Sequence, residues 1–526
     1  MVMATHGMVN ELNCHPHNVG DITIVHNGIL ENYLELKQLL LDNNYSFYGN
    51  TDTEIACAYI DYEYKNSNKN NILEVLDKCT KKFIGSYAMV VMIKDINDKL
   101  FVLKKDSPLI IGKGNNENFI VSDIIAFDNK VIEYTILDDL EIGVITKNNI
   151  SIYKDNVKKD KSFIKLNNIN ETSELNNYKH YMLKEINEQV ELVDKWNNIY
   201  LDKLDSLLDL SKYSKIHIIG CGTAYHAGLV GKYLIENYLD IEVNVYIASE
   251  YRYQKLFIDN NTLVIAVSQS GETADTLACV KKVKELGCYT LGIINVKDSA
   301  IARYVDEVIY TMAGSEISVA STKAYLAQIY VFSILAIKLG ISNSKLDKEH
   351  IYDEYGQLPT LIKKMIDLDY TKVSNILAEN NNIFYLGRGI DYISMLEGSL
   401  KLKEISYIHC NAIPAGELKH GSISLIEDAM PIVSLITDEF IYSKTISNIK
   451  EVKARGAYDI LLVSNSISDK IDKDTYDEII VIEDVNYLLR PLVSVIPLQL
   501  IAYYTALAKG CDIDKPRNLA KSVTVE

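Results

Sequence analysis

Residues 262–273 read TLVIAVSQSGET, an apolar run followed by a hydroxyl-rich turn and then by a segment with helical spacing. A short apolar run of this kind predicts a buried strand of a parallel sheet, and ligands of such sheets bind beyond the carboxyl ends of the strands. The turn offers the side chains of Ser268, Gln269, Ser270 and Thr273, and the helix after it adds a partial positive charge. These donors suit a phosphate group without any lysine. The alternative is a capping turn with Ser270 as the N-cap.

The alternation of strand and helix around this turn occurs twice along the chain. Residues 215–219 form a predicted strand that leads into a Gly-Cys-Gly turn and a helix, and residues 382–386 lead into a Gly-Arg-Gly turn and a helix. Alternating strands and helices predict a parallel sheet that is covered on both faces. We therefore predict an α/β protein with two tandem doubly wound domains, at residues 196–345 and 360–512.

The chain before these domains has a different pattern. Short apolar or alternating runs bounded by turn residues predict a separate β-rich domain over residues 1–165. A polar, Asn-rich stretch follows, and we place the linker at residues 166–195. The last residues, 513–526, predict a tail that must dock on the rest of the protein.

Composition and charge exclude several classes of protein. The 526 residues carry 54 Lys and Arg against 71 Asp and Glu, a net charge of −17, which argues against nucleic-acid binding because that requires a basic surface. No apolar run reaches the about 18–20 residues that span a bilayer, and the N-terminus lacks the features of a signal peptide. The eight cysteines are scattered without a C-x-x-C pair. This pattern predicts a cytoplasmic protein with no disulfide, membrane anchor or cofactor.

Three charged residues recur on one face of a predicted helix. Glu397, Lys401 and Glu404 follow the spacing i, i+4 and i+7. A glutamate beside a lysine would serve as a general base. The loop that follows holds His420 between glycines and charged residues, and this histidine is a proton-transfer candidate at neutral pH. The alternatives are a solvated helix face with salt bridges and a structural histidine.

Three further positions combine a structural and a chemical interpretation. Before the helical segment that follows residue 322, Ser321 or Thr322 would act as the cap. Lys521 would normally face solvent, but if the tail folds over the ligand site its desolvated amine could form an imine with a sugar carbonyl. Cys221 is a candidate nucleophile, although such a residue is more often a small buried hydrophobe.

The N-terminal region carries two other candidate sites. His6, His15, His17 and His26 invite a metal hypothesis, yet no acidic or cysteine ligand stands at a recognised spacing, and we predict no metal site. Asn27-Gly28 follows a predicted strand at residues 21–26. This pair would supply an oxyanion hole through an amide and a backbone N–H, or it would form a type I′ turn.

Taken together, these motifs resemble those of the glutamine–fructose-6-phosphate aminotransferases (isomerizing), also called glucosamine-6-phosphate synthases. The resemblance runs from Ala4 to Glu526. It implies a glutamine amidotransferase domain of the N-terminal-nucleophile type, with a layered αββα fold, followed by two sugar-isomerase (SIS) domains. The motifs that carry the resemblance lie at residues 5–7, 26–29, 51–54, 268–273, 319–323, 400–407, 416–421 and 516–526.

The resemblance also implies roles for single residues in the second half of the chain. Val319 and Ser321 would line the sugar, and Glu404 would move a proton between C1 and C2 with Lys401 beside it. Lys521 would form the imine at C2 of fructose 6-phosphate. The phosphate of the sugar would be held by Thr223, Ser268, Gln269, Ser270 and Thr273.

Two more roles involve a second subunit and glutamine. By resemblance, His420 would assist ring opening from the neighbouring subunit of a homodimer. Asn27 and Gly28 would be the oxyanion hole of the glutamine site, and Asp52 would bind the amino group of glutamine. The implied partners are therefore fructose 6-phosphate, glutamine or ammonia, and a second copy of the chain.

The chain departs from the family pattern in its N-terminal region. The family nucleophile is a cysteine directly after the initiator methionine, and Met1 of this chain aligns well inside the domain. We therefore expect the nucleophile and the first strands to be absent, since Cys14 has no free α-amino group and cannot replace that cysteine. Val2 and Met3 stand where the family has an arginine and a tryptophan, and Ala224 stands where many members have a serine.

These departures predict that the chain uses ammonia, or that it only isomerises fructose 6-phosphate to glucose 6-phosphate. A non-catalytic sugar-phosphate-binding regulator is the alternative from another class. A decayed or mis-started gene product is the third possibility.

Overall fold

The computed structural model describes residues 10–67, 71–122, 124–127, 130–165 and 174–523. The chain forms two compact units. The first covers residues 1–172 with the short pieces 272–274 and 523–526, and the second covers residues 173–271 and 275–522. The fold class predicted from the sequence is confirmed, because a layered β-rich unit precedes two domains built on parallel sheets.

The first unit contains two antiparallel sheets. The strands of the larger sheet are β1 (His17–Val19), β2 (Ile22–Leu30), β3 (Gly85–Ile93), β4 (Leu100–Lys105), β8 (Ile142–Ile145), β9 (Ile150–Lys154) and β10 (Val157–Lys159), in that spatial order. The strands of the smaller sheet, in spatial order, are β11 (Ile164–Lys165), β7 (Val131–Ile136), β5 (Ile110–Gly114) and β6 (Asn118–Val121).

The larger sheet is apolar on both faces. Its alternate side chains, such as Met89 and Val91, pack with three helices, whereas Ala88 and Val102 pack with residues of the smaller sheet. The helices are α1 (Tyr33–Asp42), α2 (Asp52–Lys65) and α3 (Ile72–Lys82). The order of layers is therefore helices, larger sheet and smaller sheet.

The sequence does not predict where β2 ends. The strand predicted at residues 21–26 continues through Asn27 and Gly28, and Gly28 pairs with Tyr87 of β3. The type I′ turn is therefore wrong. Gly28 has φ +149°, and a Cβ there would lie 2.1 Å from the carbonyl oxygen of Ser86, so this strand position accepts only glycine.

The second unit contains two parallel sheets of the same topology. The first sheet is formed by β12 (Lys215–Gly220), β13 (Glu242–Ile247), β14 (Thr262–Ser268), β15 (Tyr289–Ile294) and β16 (Glu307–Tyr310), in the spatial order β13-β12-β14-β15-β16. The second sheet is formed by β17 (Asn382–Gly387), β18 (His409–Pro414), β19 (Pro431–Ile436), β20 (Tyr458–Ser464) and β21 (Glu478–Ile482), in the spatial order β18-β17-β19-β20-β21. The shared strand order identifies the two domains as structural repeats.

The repeat extends to the turn after the first strand of each sheet. Gly222 and Gly389 occupy the N-cap positions of the next helices, with φ of +53° and +57°. The helices of the second unit are α4 (Tyr181–Tyr200), α5 (Thr223–Tyr238), α6 (Ala248–Tyr251), α7 (Ala274–Glu285), α8 (Ala300–Tyr304), α9 (Lys323–Ser342), α10 (Lys348–Ile366), α11 (Thr371–Ala378), α12 (Ile390–Ser406), α13 (Tyr442–Lys453), α14 (Asn465–Ser468) and α15 (Arg490–Ala508).

Helix α4 begins within the segment that the sequence assigns to the linker. Its apolar residues Met182, Ile186, Val193 and Trp196 are fully buried in the core of the second unit. Residues 181–195 are therefore part of a packed domain. The polar composition of the preceding stretch obscures the apolar spacing of this helix.

Two helices are longer and more apolar than the sequence analysis anticipates. Helices α9 and α15 have windows of mean hydropathy 1.7 and 1.5, so by length and composition they could cross a membrane. The most apolar windows are 89% and 83% buried inside the second unit. Both helices pack in its core, as central helices of globular domains do.

Candidate active site

The hydroxyl-rich turn follows β14 at the carboxyl edge of the first parallel sheet. The Ser268 hydroxyl accepts a hydrogen bond from the Gly271 N–H at 3.0 Å, which closes the turn. Gly271 has φ +67°, and a Cβ there would lie 1.9 Å from the Ser299 hydroxyl oxygen, so the turn requires glycine. The half-buried side chains on this turn are Gln269 and Ser270.

The C-terminal tail is bound to this edge of the sheet. The Ser522 hydroxyl donates to the Ser270 hydroxyl at 3.0 Å. The Lys521 ammonium donates to the Glu316 carboxylate at 2.5 Å and to the Ser318 carbonyl oxygen at 2.8 Å. Only 26% of the Lys521 side chain is exposed. The tail therefore brings an amine next to the turn.

Glu316 links the tail to the start of α9. Its carboxylate also accepts the backbone N–H groups of Thr322, at 2.8 Å, and of Ala324, at 3.1 Å. Burial favours its neutral form, but the charge of Lys521 and the hydrogen bonds from Lys521, Thr322 and Ala324 together outweigh burial, and the pKa of Glu316 is lowered. The helix cap that the sequence assigns to Ser321 or Thr322 comes instead from Glu316, since the Thr322 side chain makes no capping bond.

The three charged residues on α12 form a buried ladder. The Lys401 ammonium lies 3.4 Å from the Glu397 carboxylate and 2.7 Å from the Glu404 carboxylate. The side chains of Glu397 and Lys401 are each 1% exposed, and that of Glu404 is 20% exposed. The solvated helix face is therefore wrong for these residues. Glu404 is the member of the ladder that solvent or a ligand reaches.

Electrostatics keep the inner members of this ladder charged. Burial lowers the pKa of Lys401, but the carboxylates of Glu404 and Glu397 outweigh burial and raise it overall. Burial raises the pKa of Glu397, but Lys401 and His226 outweigh burial and lower it overall. The negative charge of Glu316 also contributes to the raised pKa of Lys401, so the ladder and the Lys521–Glu316 pair belong to one electrostatic site.

Helix α5 connects the first parallel sheet to this ladder. The Thr223 hydroxyl donates to Glu397 at 3.0 Å and accepts from Lys401 at 3.2 Å. The His226 Nδ1 lies 2.8 Å from the other Glu397 oxygen. Cys221, just before this helix, is partly buried, and burial raises the pKa of its thiol, which disfavours the reactive thiolate.

The remaining predicted residues of this half lie at different places. Val319 and Ser321 are half-buried on the loop between Glu316 and α9, and the Val319 N–H donates to the Asp514 carbonyl oxygen at 3.1 Å. Thr273 directly precedes α7 and is half-buried. His420 ends a 3₁₀ turn and is exposed, and no side-chain bond joins it to the ladder among the described residues.

The predicted residues of the glutamine site lie on β2 and α2. Asp52 is buried in the first turn of α2, and its carboxylate accepts the Leu30 N–H at 2.8 Å. Asn27 and Gly28 are neighbours in the interior of β2, half-buried and buried respectively. Val2, Met3 and His6 lie outside the described residues.

The histidines in the described part of this region make bonds to hydroxyl groups. His15 and His26 both contact the Thr53 hydroxyl, at 3.2 and 3.0 Å. His17 contacts the hydroxyls of Thr51 and Tyr48, each at 3.0 Å. Across the residues that the structure describes, no group of three or more His, Cys, Asp or Glu side chains is arranged to hold a metal ion.

Two residues of the site escape prediction from the sequence. His226 stands three residues after Thr223, so both lie on one face of α5, and that spacing is the available signal. Glu316 is an acidic residue in a stretch of small and apolar residues before a long apolar helix, which is a pattern typical of a buried cap. Both act across domains or loops that the sequence does not place together.

Comparison with known proteins matches residues 14–129 to the glutamine amidotransferase domain and residues 209–338 and 376–509 to the SIS domain. A Clostridium tetani protein named glutamine–fructose-6-phosphate aminotransferase (isomerizing) is 45% identical over 540 residues, which cover 99% of this chain and 88% of the relative. A protein of the same name from Methanosarcina mazei is 42% identical with the same coverage.

A solved structure agrees with the second unit. The C-terminal domain of glucosamine-fructose-6-phosphate aminotransferase from Francisella tularensis matches with a TM-score of 0.62 at 37% identity. The match covers 65% of this chain and 100% of that structure.

Proposed function

This chain belongs to the family of glutamine–fructose-6-phosphate aminotransferases (isomerizing), and we propose that it converts fructose 6-phosphate into glucosamine 6-phosphate. The observation that carries the proposal is the buried Glu397–Lys401–Glu404 ladder beside the Lys521–Glu316 pair, at the edge of a sheet that ends in a hydroxyl-rich turn. The proposed site therefore combines the amine of Lys521, the carboxylate of Glu404 and a set of hydrogen-bond donors that suits a phosphate.

The phosphate of the sugar binds at the strand ends of the first parallel sheet. Its ligands are the hydroxyl and amide groups of Thr223, Ser268, Gln269, Ser270 and Thr273. Val319 and Ser321 line the sugar. Because the turn contains no lysine, hydrogen-bond donors and the start of the next helix supply the binding energy. Lys521 is thus left free for chemistry.

Lys521 acts as a nucleophile toward the ketose. Its neutral amine adds to C2 of the open-chain sugar, and loss of water leaves an imine. Glu316, which bonds the amine at 2.5 Å, is the counterion for the positive charge on the imine nitrogen. Ammonia then displaces the lysine amine, which leaves the new nitrogen on C2 and regenerates Lys521.

Glu404 carries out the isomerisation. Its carboxylate removes a proton from C1 and returns it to C2, so that C1 becomes an aldehyde and C2 carries an amine. Lys401 and Glu397 hold this carboxylate in place, and they remain charged because each is stabilised by the other. His420 of a second copy assists opening of the sugar ring, which requires a homodimer.

The source of nitrogen depends on the first unit. Asn27, Gly28 and Asp52 provide an oxyanion hole and an amino-group contact for glutamine. The cysteines of this region that the structure describes, Cys14, Cys57 and Cys79, are all internal and lack a free α-amino group. We propose that glutamine or ammonium supplies the nitrogen. We also propose a cytoplasmic location, because the eight cysteines are scattered along the sequence without a C-x-x-C pair.

A regulator that only binds sugar phosphates would not need this machinery. Such a protein would have no use for a buried lysine between two carboxylates or for an amine at the sugar site. The curated relatives are named as aminotransferases. These observations favour catalysis over binding alone.

Trapping of the imine tests the proposal. Purified chain is incubated with fructose 6-phosphate and borohydride, and peptide mass spectrometry measures the reduced adduct on Lys521. We expect the adduct in the wild type and none in Lys521→Arg, because a guanidinium does not form the imine. The matched control is Lys515→Arg in the same tail, where the side chain is exposed. Ammonium-driven formation of glucosamine 6-phosphate by Lys521→Arg would refute the assignment.

A further inference from the structure

The loop that carries Glu316 is bound by a buried carboxyl group of α4, that of Glu185. The Glu185 residue is 0% exposed. One of its carboxylate oxygens accepts the Ile317 N–H at 2.5 Å and the Ser318 N–H at 3.3 Å. These two peptide groups lie between Glu316 and Val319. A side chain outside the sugar site thus fixes the backbone of the loop that lines it.

The same stretch of backbone positions the reactive amine. Lys521 donates to the carbonyl oxygen of Ser318 and to the carboxylate of Glu316. Its ammonium therefore contacts the residue before Ile317 and the residue after it, in the same stretch of backbone that Glu185 binds. Asp514 anchors the loop a second time. Its carboxylate accepts the first N–H groups of α4, from Tyr181 and Met182, and its carbonyl oxygen accepts the Val319 N–H.

We propose that Glu185 is a positioning residue for Lys521: by binding the backbone of Ile317 and Ser318 it holds the Lys521–Glu316 pair where the amine meets C2 of the sugar. The inference rests on the function proposed above. It gives α4, the first helix after the linker, an indirect part in the chemistry. The sequence alone does not suggest this part, because α4 is far along the chain from the phosphate-binding turn. Glu185 itself touches neither sugar nor phosphate in this assignment.

The surroundings of Glu185 favour its neutral form. Burial and then the charge of Glu316 raise its pKa to about 8, whereas the hydrogen bond from the Ile317 N–H and the charges of Lys521 and Lys323 act in the opposite direction. These are the charged groups that face it from the loop, the tail and α9. Its second carboxylate oxygen is buried without a hydrogen-bond partner, which also disfavours the anion.

Neutrality of Glu185 has a consequence for the amine. While Glu185 keeps its proton, Lys521 faces one ionised carboxylate, that of Glu316. Ionisation of Glu185 above its pKa would add a second buried negative charge close to Lys521, and that charge would attract the ammonium form more strongly than the neutral amine. Only the neutral amine adds to a carbonyl, so this ionisation slows imine formation.

The experiment compares three variants by the rate of the borohydride-trapped adduct with fructose 6-phosphate between pH 6 and 9. Glu185→Ala removes the acceptor, and we expect adduct formation to slow by about a hundredfold, the scale that a misplacement of about 1 Å costs. Glu185→Gln keeps the carbonyl acceptor and should retain most of the rate at pH 7. The control is Glu191→Gln, an exposed residue of the same helix.

The decisive readout is the ratio of the Glu185→Gln rate to the wild-type rate. It should rise as the pH increases from 7 to 9, since glutamine cannot ionise, whereas the ratio for the control should stay constant. A pH-independent ratio for Glu185→Gln, or wild-type rates for Glu185→Ala, would overturn the inference. A purely structural role would change the folded fraction of the protein and leave that ratio flat.

Failure of the proposed function gives a different result. If the wild type itself forms no adduct on Lys521, the imine chemistry is refuted before any variant is compared. If the wild type forms the adduct and Glu185→Ala forms it equally fast, only the positioning role is refuted. Binding of inorganic phosphate, which depends on the turn of residues 268–271, should be unchanged in all three variants.

Discussion

Replacement of Lys401 with methionine removes the cation that stands between Glu397 and Glu404. The methionine fills a similar volume on α12, so the change is chiefly one of charge. Glu397 is then left in a fully buried position, where it keeps its hydrogen bonds to His226 and Thr223. We expect the second unit to lose stability and ammonium-driven synthesis to be lost, because Glu404 also loses the partner that orients it.

The size of the effect follows from the distances. At an effective dielectric constant of about 20, the contacts at 3.4 and 2.7 Å correspond to about 5 and about 6 kcal/mol of Coulomb attraction. Desolvation of the ammonium offsets several kcal/mol of this attraction. Removal of one partner of a buried pair costs about 3–5 kcal/mol, and the bonds from His226 and Thr223 to Glu397 place this case near about 3 kcal/mol.

Thermal unfolding measures this loss. The second unit has about 350 residues, for which the entropy of unfolding is about 0.7 kcal/mol per degree, so about 3 kcal/mol lowers its Tm by about 4 °C. The control is Lys403→Met, an exposed residue of the same helix, which should change the free energy of unfolding by less than about 0.5 kcal/mol.

A second variant tests the reasoning itself. Lys401→Met combined with Glu397→Gln removes both charges, and replacement of a whole buried pair is close to neutral for stability. The double variant should therefore recover most of the lost Tm while remaining inactive. An equal or larger loss of Tm in the double variant would show that packing, and not an uncompensated charge, stabilises this part of α12.

Two further predictions concern a buried carboxyl and the dimer. Burial raises the pKa of Asp459 to about 7, above the about 3.9 of an unfolded aspartate, so its contribution to stability is full below about pH 4 and is lost as the pH rises toward 7. Asp459→Asn should accordingly lose less Tm than the wild type between pH 5 and 8, whereas the exposed Asp469→Asn should follow the wild type. If His420 acts across a homodimer, an equimolar, subunit-exchanged mixture of the inactive variants His420→Ala and Lys521→Arg should regain about a quarter of the wild-type activity, since half of the dimers then hold one intact site. Activity of the mixture no higher than that of either variant alone would contradict the shared site.

Much of the fold can be predicted from the sequence because the strands and turns of both parallel sheets have recognisable local sequence patterns. Central strands of the second unit such as β14 and β19 are short, fully buried runs, and the first strand of each sheet leads into a turn with glycine at the N-cap of the next helix. The course of β2 through Asn27 and Gly28 could not be predicted, since Asn-Gly is a strong local turn signal. The pairing of β2 with the neighbouring strand β3 overrides that local preference.

The candidate site is only partly predictable for a related reason. Glu397, Lys401 and Glu404 share a helix, so their spacing reveals them. Whether such a face is solvated or buried depends on α5, which brings Thr223 and His226 against it from elsewhere in the chain. Helical periodicity gives the alignment of side chains but not their partners. Burial, and with it the chemistry, is a tertiary property.

The contrast between the two lysines of the site explains why the tail supplies the nucleophile. Lys401 is almost fully buried between two carboxylates, its pKa is raised, and it therefore keeps its proton at neutral pH. A lysine in that state orients Glu404 but cannot add to a carbonyl. Lys521 is partly exposed and pairs with Glu316, while Glu185, the other acid close to it, has a raised pKa and holds its own proton. The site thus separates the cation that orients Glu404 from the amine that reacts with the sugar: Lys401 lies between two carboxylates, whereas Lys521 contacts the single carboxylate of Glu316.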